Sequence, residues 1–232
     1  MRLSSQLSKD IIMQRLFEDE LEQIKELILT MAGLVERALS DAGKALIERD
    51  SVLAQKVIDG DDVIDQLEVE IDRLAAEFIV KHQPAATDLR FVIVAIKLGP
   101  ELERIADHAT NIAERVLYLN DKETVKPLID LPRMLNLSRA MVSDAISAYV
   151  QRDSAKAREI IGRDDEVDAL YVQLLRELIT FMIDDPQTIS RAIALIFVAR
   201  YAERIGDQAT NIAEEIVYLE EGTPIRHQPL EG

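Results

Sequence analysis

Two segments of this 232-residue chain lie one hundred residues apart and are nearly identical: ERIADHATNIAERVLYL at Glu103–Leu119 and ERIGDQATNIAEEIVYL at Glu203–Leu219. Twelve of the seventeen aligned residues are the same. A second matching pair precedes them in the same order, RDSVLAQKVIDGDDVIDQL at Arg49–Leu67 and RDSAKAREIIGRDDEVDAL at Arg152–Leu170. Two matching blocks in the same order indicate an internal duplication of a unit of about one hundred residues.

The first half of the unit has helical periodicity. Between Phe17 and Ala45 the apolar residues recur at alternating steps of four and three, which is typical of a long amphipathic helix that packs on other helices. Asp50 and Ser51 then offer an N-cap, and the apolar pattern predicts a second helix that continues to Phe78.

The second half of the unit predicts a turn followed by a third helix. Pro84 marks the turn, and the helix is expected from about Thr87 to Leu119, although Phe91–Ile96 taken alone has strand propensity. Gly99-Pro100 is expected to kink or restart this helix. In the second copy Asp185-Pro186 takes the place of the turn, with Asp185 as N-cap.

The predicted fold is therefore all-α, with two tandem three-helix bundles of long antiparallel helices related by duplication. We assign the first repeat to residues 1–122, the second to residues 123–221 and a C-terminal tail to residues 222–232. The small number of Gly and Pro residues, eight and seven, agrees with long uninterrupted helices.

Composition excludes several classes of function. The chain has 43 acidic and 27 basic residues, a net charge of −16, which disfavours binding to nucleic acid. It has no Cys, so a disulfide framework, a thiolate metal site and a Cys nucleophile are excluded. We see no signal-peptide pattern and no apolar run that would span a membrane, and we expect a cytoplasmic protein that meets membranes only peripherally through partners.

Pairs of carboxylates are the chemically distinctive feature of both repeats. Each pair is spaced i, i+4, which places two carboxylates on one helix face about 6 Å apart at their Cβ atoms. Asp65 lies nineteen residues before Pro84 and Glu103 lies nineteen after it, so an antiparallel hairpin brings the two pairs of a repeat to the same height. The four pairs are Asp61/Asp65, Glu103/Asp107, Asp164/Asp168 and Glu203/Asp207.

The acidic stripes are expected to face outward and to bind metal. At about 100° per residue, Glu103, Asp107 and Asn111 point away from the apolar face of their helix, and Asn211 is the counterpart of Asn111. Carboxylates with an amide suit hard divalent cations and can also hold iron, manganese or zinc, so the metal can be Fe, Zn, Mn, Mg or Ca. A merely solvated acidic face is the alternative, but its recurrence in both copies favours a site.

Catalytic motifs are not visible. No His lies in the Glu-x-x-His motif of di-iron bundles, and His108 is replaced by Gln208 in the second copy, so we expect His108 to be a solvated residue. We find no phosphate-binding Gly-rich loop and no Ser-His-Asp order.

The residues also carry a family resemblance. DLRFVIVAIKLGPELERIADHATNIAERV (Asp88–Val116) and FVARYAERIGDQATNIAEEIVYL (Phe197–Leu219) resemble the PhoU family of bacterial phosphate-transport accessory and regulatory proteins. The resemblance implies frequent homodimerisation and multinuclear metal sites at E/D-x-x-x-D motifs. It implies a protein that restrains the phosphate-starvation response by linking the ATPase subunit of the phosphate ABC transporter to the phosphate-sensing histidine kinase.

Three hypotheses of function follow. The first is a regulatory interaction protein without catalytic activity. The second is a carboxylate-bridged, metal-dependent enzyme, a hydrolase or an oxidase, which the clustered acids favour and the scarcity of His disfavours. The third is a structural helical module whose acids bind nothing.

Overall fold

The computed structural model describes the backbone of residues 2–223 and of residue 225, with side chains from Met13 onward. These residues form helices and connecting turns, without strands. The elements are α1 (Arg2–Glu48), α2 (Ser51–Asp59), α3 (Asp61–His82), α4 (Ala86–Asn120), α5 (Asp130–Gln151), α6 (Ser154–Ile161), α7 (Asp164–Asp184), a 3₁₀ turn (Pro186–Thr188) and α8 (Ile189–Glu221). The predicted all-α fold and its duplication are confirmed, whereas most of the predicted tail lies outside the described residues.

The first predicted helix is confirmed and is longer than its apolar seam. Its seam residues Ile24, Ile28 and Val35 are fully buried against α3 and α4. Asp50 caps α2 as expected, since its carboxylate accepts hydrogen bonds from the backbone N–H groups of Val52 and Leu53 at 2.9 Å.

The second predicted helix is not continuous, and this expectation was wrong. Gly60 separates α2 from α3, because its N–H bonds back to the carbonyl of Val57 at 3.2 Å and so tightens the last turn of α2. The second copy breaks at the corresponding place, where Gly162 and Arg163 separate α6 from α7. The short first segment of each pair covers the neighbouring long helix before the chain turns into the hairpin.

Of the two outcomes expected at Gly99-Pro100, a kink or a restart of the helix, the restart is wrong. Pro100 lies inside α4, which runs without interruption from Ala86 to Asn120. Pro100 cannot donate to the carbonyl of Ile96, but the burial of Leu98 and Leu102 on either side holds the helix together. Tertiary packing here overrides the local preference.

The turns between the hairpin helices agree with the sequence. In the first copy α3 ends at His82 and α4 begins two residues after Pro84. In the second copy the Asp185 carboxylate accepts a hydrogen bond from the N–H of Gln187 at 3.0 Å, and Pro186 is the first residue of the 3₁₀ turn.

The two repeats pack together through α4 and α8, which are antiparallel. The Lys97 ammonium pairs with the Glu215 carboxylate at 2.8 Å, and four residues further along α4 Glu101 accepts a hydrogen bond from the Asn211 amide at 3.2 Å. Buried apolar side chains from both repeats belong to one continuous core. No helix in the described part of the chain has the length and apolar character needed to cross a membrane.

Candidate metal centres

The first acidic cluster consists of Asp61 and Asp65 on α3 with Glu103 and Asp107 on α4. Asp61 and Glu103 are half-buried, while Asp65 and Asp107 are exposed. The charge of Asp65 acts on both Glu103 and Asp107 across the helix pair, so the two pairs are close enough to repel each other. The cluster faces outward, and the opposite face of α4 is buried in the core.

The carboxylates of this cluster repel one another. Burial raises the pKa of Asp61, and the charges of Asp107 and Asp65 raise it further, while a hydrogen bond from Thr110 partly opposes the shift. Burial and the charges of Asp107 and Asp65 likewise raise the pKa of Glu103. Burial and Asp65 raise the pKa of Asp107. The positive charge within the first acidic cluster is therefore too small to offset the repulsion among its carboxylates.

Glu68 extends the first acidic cluster and is absent from the set of residues that the sequence selected. Burial, followed by the charges of Asp72 and Asp65, raises its pKa, and its own charge acts on Glu103. The signal was present in the sequence, since Glu68 and Asp72 continue the spacing of Asp61 and Asp65 along α3. Tyr171 and Leu175 occupy these positions in the second copy, so Glu68 and Asp72 lack the repetition that marks the four pairs.

The second acidic cluster consists of Asp164 and Asp168 on α7 with Glu203 and Asp207 on α8. Burial raises the pKa of Asp164 to about 6, and Asp207 and Asp168 add to the shift. Gly206 of α8 lies beside Asp164, since a Cβ on it would meet an oxygen of Asp164 at 3.5 Å, an ordinary van der Waals contact. One oxygen of Glu203 is buried without a hydrogen-bond partner. That oxygen lies 3.9 Å from Nε of Arg204, within an ion pair.

One cation, Arg200, distinguishes the second acidic cluster from the first, because Arg204 has a counterpart in Arg104. Arg200 pairs with Glu203 at 3.1 Å and lies over the ring of Tyr171 at 5.6 Å. Burial raises the pKa of Asp207, whereas Arg204 and Arg200 lower it. Because Arg200 and Tyr171 stand where the first repeat has Pro100 and Glu68, the second cluster is the less negative of the two.

The two amides of the predicted ligand sets are placed differently. Asn111 donates to the backbone carbonyl of Asp107 at 2.7 Å and stays on the acidic face of α4. Asn211 donates to Glu101 of the other repeat at 3.2 Å, so the contact between repeats orients its amide.

The chemistry of both clusters fits a cation, although the side chains do not yet enclose one. Among the described residues, no three or more acidic or His side chains converge closely enough to hold a metal ion as they stand. Six of the carboxylates nevertheless have raised pKa values, and one oxygen of Glu203 accepts no hydrogen bond; the six are Asp61, Glu103, Asp107, Asp164, Glu203 and Asp207. Coordination requires rotation of exposed side chains such as Asp65 and Asp168, which exposed rotamers permit.

His108 is not the solvated residue that the sequence suggested. Its ring stacks on Tyr201 with centroids 5.7 Å apart, and its Nδ1 atom is buried without a hydrogen-bond partner. Burial, together with the charge of Arg204, lowers its pKa to about 4. The packing of α8 against α4 covers the ring, and the sequence of α4 alone does not reveal that contact.

A cavity of about 370 Å³ adjoins the first acidic cluster between α1, α2 and α3. Asp61 and Thr110 form part of its wall, and Arg37 and Lys56 supply positive charge, with Lys56 paired to Asp41 at 3.2 Å. The sequence did not predict this cavity, because the break at Gly60 creates its shape.

The chain is all-helical and consists of two packed copies, each with an outward carboxylate cluster on its long hairpin. It therefore belongs to a class of duplicated helical proteins with paired acidic faces. The sequence model of the PhoU domain matches residues 28–116 and 131–216, which covers both repeats and well over half of the chain. The chain belongs to the PhoU domain family.

Relatives with this architecture cover nearly the whole chain. A phosphate-specific transport system accessory protein PhoU homolog from Aquifex aeolicus is 43% identical over 209 residues, 90% of this chain and 95% of the relative. A homolog of the same name from Pseudomonas putida is 41% identical over 92% of this chain and 84% of its own length. The crystal structure of PhoU from Pseudomonas aeruginosa superposes with a TM-score of 0.87 at 40% identity, covering 89% of this chain and all of that one.

Proposed function

We propose that this protein is an accessory and regulatory component of a phosphate transport system. The observation that carries the proposal is that both acidic-faced repeats match the PhoU domain. Curated relatives at about 40% identity bear the name of phosphate-specific transport system accessory protein over nearly their full length.

The more specific role that we propose is the one that the resemblance to the PhoU family implies. When phosphate is plentiful, the protein restrains the phosphate-starvation response and modulates phosphate uptake. It does so as a cytoplasmic homodimer that links the ATPase subunit of the phosphate ABC transporter to the phosphate-sensing histidine kinase. It acts without catalysis, binds no nucleic acid and meets the membrane only through these partners.

Co-purification and a deletion strain test this role. The protein is used as bait in phosphate-replete and phosphate-starved cells, and the transporter ATPase and the kinase are quantified by mass spectrometry. We expect both to be retained, and we expect deletion of the gene to raise a phosphate-starvation reporter in replete medium. Retention of neither partner in any condition, with an unchanged reporter, contradicts the proposal. Turnover of a phosphoester by the purified, metal-loaded protein would instead favour the hydrolase.

The same proposal gives the two acidic clusters a role as metal centres for divalent or iron-type cations. Asp61, Asp65, Glu103 and Asp107, with Asn111, would hold the metal of the first repeat. Asp164, Asp168, Glu203 and Asp207, with Asn211, would hold that of the second. When bound, the metal supplies positive charge that offsets the carboxylate repulsion and joins the two helices of each hairpin.

Matched double variants test the metal centres. Asp65→Asn/Asp107→Asn alters the first acidic cluster and Asp168→Asn/Asp207→Asn alters the equivalent residues of the second. We expect each to lower the metal content, measured by elemental analysis after gentle purification, and the quadruple variant to lose nearly all of it. Equal metal content in the wild-type and quadruple variants would contradict the assignment.

The two centres are expected to fill in order. The first acidic cluster has Glu68 and Asp72 beside it, whereas the second has Arg200 where the first repeat has Pro100, so the first attracts cations more strongly. In a titration of metal-free protein with Mn²⁺, the tighter phase should disappear in Asp65→Asn/Asp107→Asn. Loss of the tighter phase in the second-repeat variant instead would contradict this order.

A further inference from the structure

The cavity beside the first acidic cluster has an apolar floor and a charged rim. Its volume of about 370 Å³ lies at the lower end of the range for small-molecule sites, which is about 300–1,000 Å³. The floor is formed by aliphatic side chains of α1, α2 and α3: Leu34, Ala38, Val57, Val63 and Ile64. Val57 and Ile64 are buried, whereas Leu34 and Ala38 are only partly buried. The cavity therefore offers an apolar base that a small molecule can reach from solvent.

The second repeat has larger side chains at two positions that shape this cavity. The alignment of the repeats pairs Ala38 with Met141 and Gly60 with Arg163. Met141 is fully buried, and Arg163 reaches the carboxylate of Asp144 at 2.6 Å. Gly60 and Arg163 have the same backbone conformation, with φ of −88° at both, so only the side chain differs. The first repeat thus keeps open a space that the second repeat fills.

Arg37 supplies an unpaired positive charge at the rim of the cavity. It lies one turn before Asp41 on α1, and it makes no ion pair or side-chain hydrogen bond with any residue that the structure describes. The other charged groups of the lining are engaged by neighbours, in the pairs Lys56–Asp41 at 3.2 Å, Gln55–Asp59 at 2.8 Å and Thr110–Asp61. An unpaired guanidinium beside an apolar cavity favours a ligand with an anionic group.

The first acidic cluster determines which end of the cavity takes the anionic group. Asp61 belongs both to the wall of the cavity and to the cluster, where the charges of Asp107 and Asp65 already act on it. A further anion beside Asp61 would add to this repulsion. The anionic group of a ligand therefore belongs at Arg37 on α1, and its apolar body extends over the floor toward α3.

We propose that this cavity binds a small amphipathic anion, a molecule with a compact apolar body and one sulfonate, phosphate or carboxylate group. Arg37 donates hydrogen bonds to the anionic group, and the apolar body covers the side chains of Ala38, Val57 and Ile64. The proposal goes beyond the phosphate-transport role, because none of its contacts involves a metal or a partner protein.

Two dyes that differ only in a sulfonate group test the site: anilinonaphthalene sulfonate and phenylnaphthylamine. Each dye is titrated into chelator-treated full-length protein at neutral pH, and its fluorescence gives the dissociation constant and the stoichiometry. We expect the wild type to bind one molecule of the sulfonate dye in the cavity. We expect this dye to bind about ten-fold more tightly than the neutral dye, because only the sulfonate can accept hydrogen bonds from Arg37.

Variants of the rim and of the floor separate the two parts of the site. Arg37→Ala should weaken binding of the sulfonate dye about ten-fold and leave that of the neutral dye unchanged. Ala38→Met/Gly60→Arg introduces the residues of the second repeat, which the same fold accommodates there, and should weaken binding of both dyes at least ten-fold. Arg133→Ala removes an exposed Arg of α5, away from the cavity, and should change neither.

The outcomes distinguish the anionic group from the cavity. Circular dichroism and thermal unfolding check that each variant is folded, since such dyes also bind partly unfolded proteins. Sulfonate binding that is unchanged in Arg37→Ala overturns the assignment of an anionic ligand. Binding of both dyes that is unchanged in Ala38→Met/Gly60→Arg, or no binding by the wild type, overturns the site as a whole. The phosphate-transport role is tested separately by co-purification and stands or falls independently of these results.

Discussion

At the scale of the residue, the two repeats differ in the surroundings of individual carboxylates in the acidic clusters. The sequence found the four pairs because their spacing recurs, and it placed them correctly on an outward face. It did not find that the pKa of Asp164 is raised to about 6. That depends on the burial of this carboxylate and on the charge of Asp207, which α8 brings close to it.

Replacing Asp164 by Asn should stabilise the metal-free protein at neutral pH. The pKa of Asp164 is raised from 3.8 to about 6, so the folded state binds this proton more tightly than the unfolded state does. The ionised carboxylate therefore costs stability in full above about pH 6, and this cost declines as the pH falls from 6 and is lost below about 3.8. We expect Asp164→Asn to raise the unfolding midpoint by roughly 2–4 °C at pH 7.5, which corresponds to about 1 kcal/mol for a chain of this size, and by about half as much at pH 5.

Calorimetry of chelator-treated protein at both pH values measures this difference. Glu159→Gln removes an exposed carboxylate from neighbouring α6 and should leave both midpoints nearly unchanged. A midpoint for Asp164→Asn that is lowered at pH 7.5 would show that the carboxylate is stabilised by its surroundings.

At the scale of the secondary-structure element, the two repeats share the corner between the first long helix and the short helix that follows it. The sequence Arg-Asp-Ser occurs at Arg49 and again at Arg152, and both Arg residues adopt the left-handed conformation with φ of 55°. The following Asp residue caps the next helix in both repeats. The sequence revealed the cap but not the left-handed residue, since Gly is the usual residue there.

The two Arg residues should respond oppositely to replacement by Gly. The left-handed backbone conformation costs a residue other than Gly about 1 kcal/mol, and replacement by Gly removes this cost. Arg152 makes only a distant contact with Glu220 at 3.9 Å, so Arg152→Gly should be neutral or stabilising by up to about 1 kcal/mol. The Arg49 guanidinium donates to the carbonyls of Leu119, Asn120 and Lys122, so Arg49→Gly should destabilise by about 1.5 kcal/mol or more.

Urea denaturation of the two variants and the wild type measures both effects. Arg49→Lys keeps the charge without the planar fork and should fall between Arg49→Gly and the wild type. An Arg49→Gly protein as stable as the wild type would mean that the capping of α4 contributes nothing.

The whole molecule behaves as one unit despite its duplication. The antiparallel pair of α4 and α8 joins the repeats through Lys97 and Glu215, and the buried side chains of both repeats form one core. Ser138 of α5 adds a buried hydrogen bond to the carbonyl of Ala202 at 2.7 Å. Separation of the repeats would expose these buried polar and apolar groups together.

The full chain should therefore unfold in a single transition. We expect the calorimetric and van 't Hoff enthalpies of the metal-free protein to agree. Lys97→Met should lower the midpoint of the whole transition, because the paired charge of Glu215 is buried. Two resolved transitions, with only one shifted by Lys97→Met, would contradict a shared core.

The sequence alone determined the duplication, the helical class and the outward acidic pairs, because helical period and i, i+4 spacing are local properties that a repeated pattern makes visible. The tertiary structure decided the break at Gly60, the continuity of α4 through Pro100, the burial of His108 and the different environments of the two clusters. Each of these depends on which helix packs against which, and packing between residues far apart in the chain is not recorded in local periodicity.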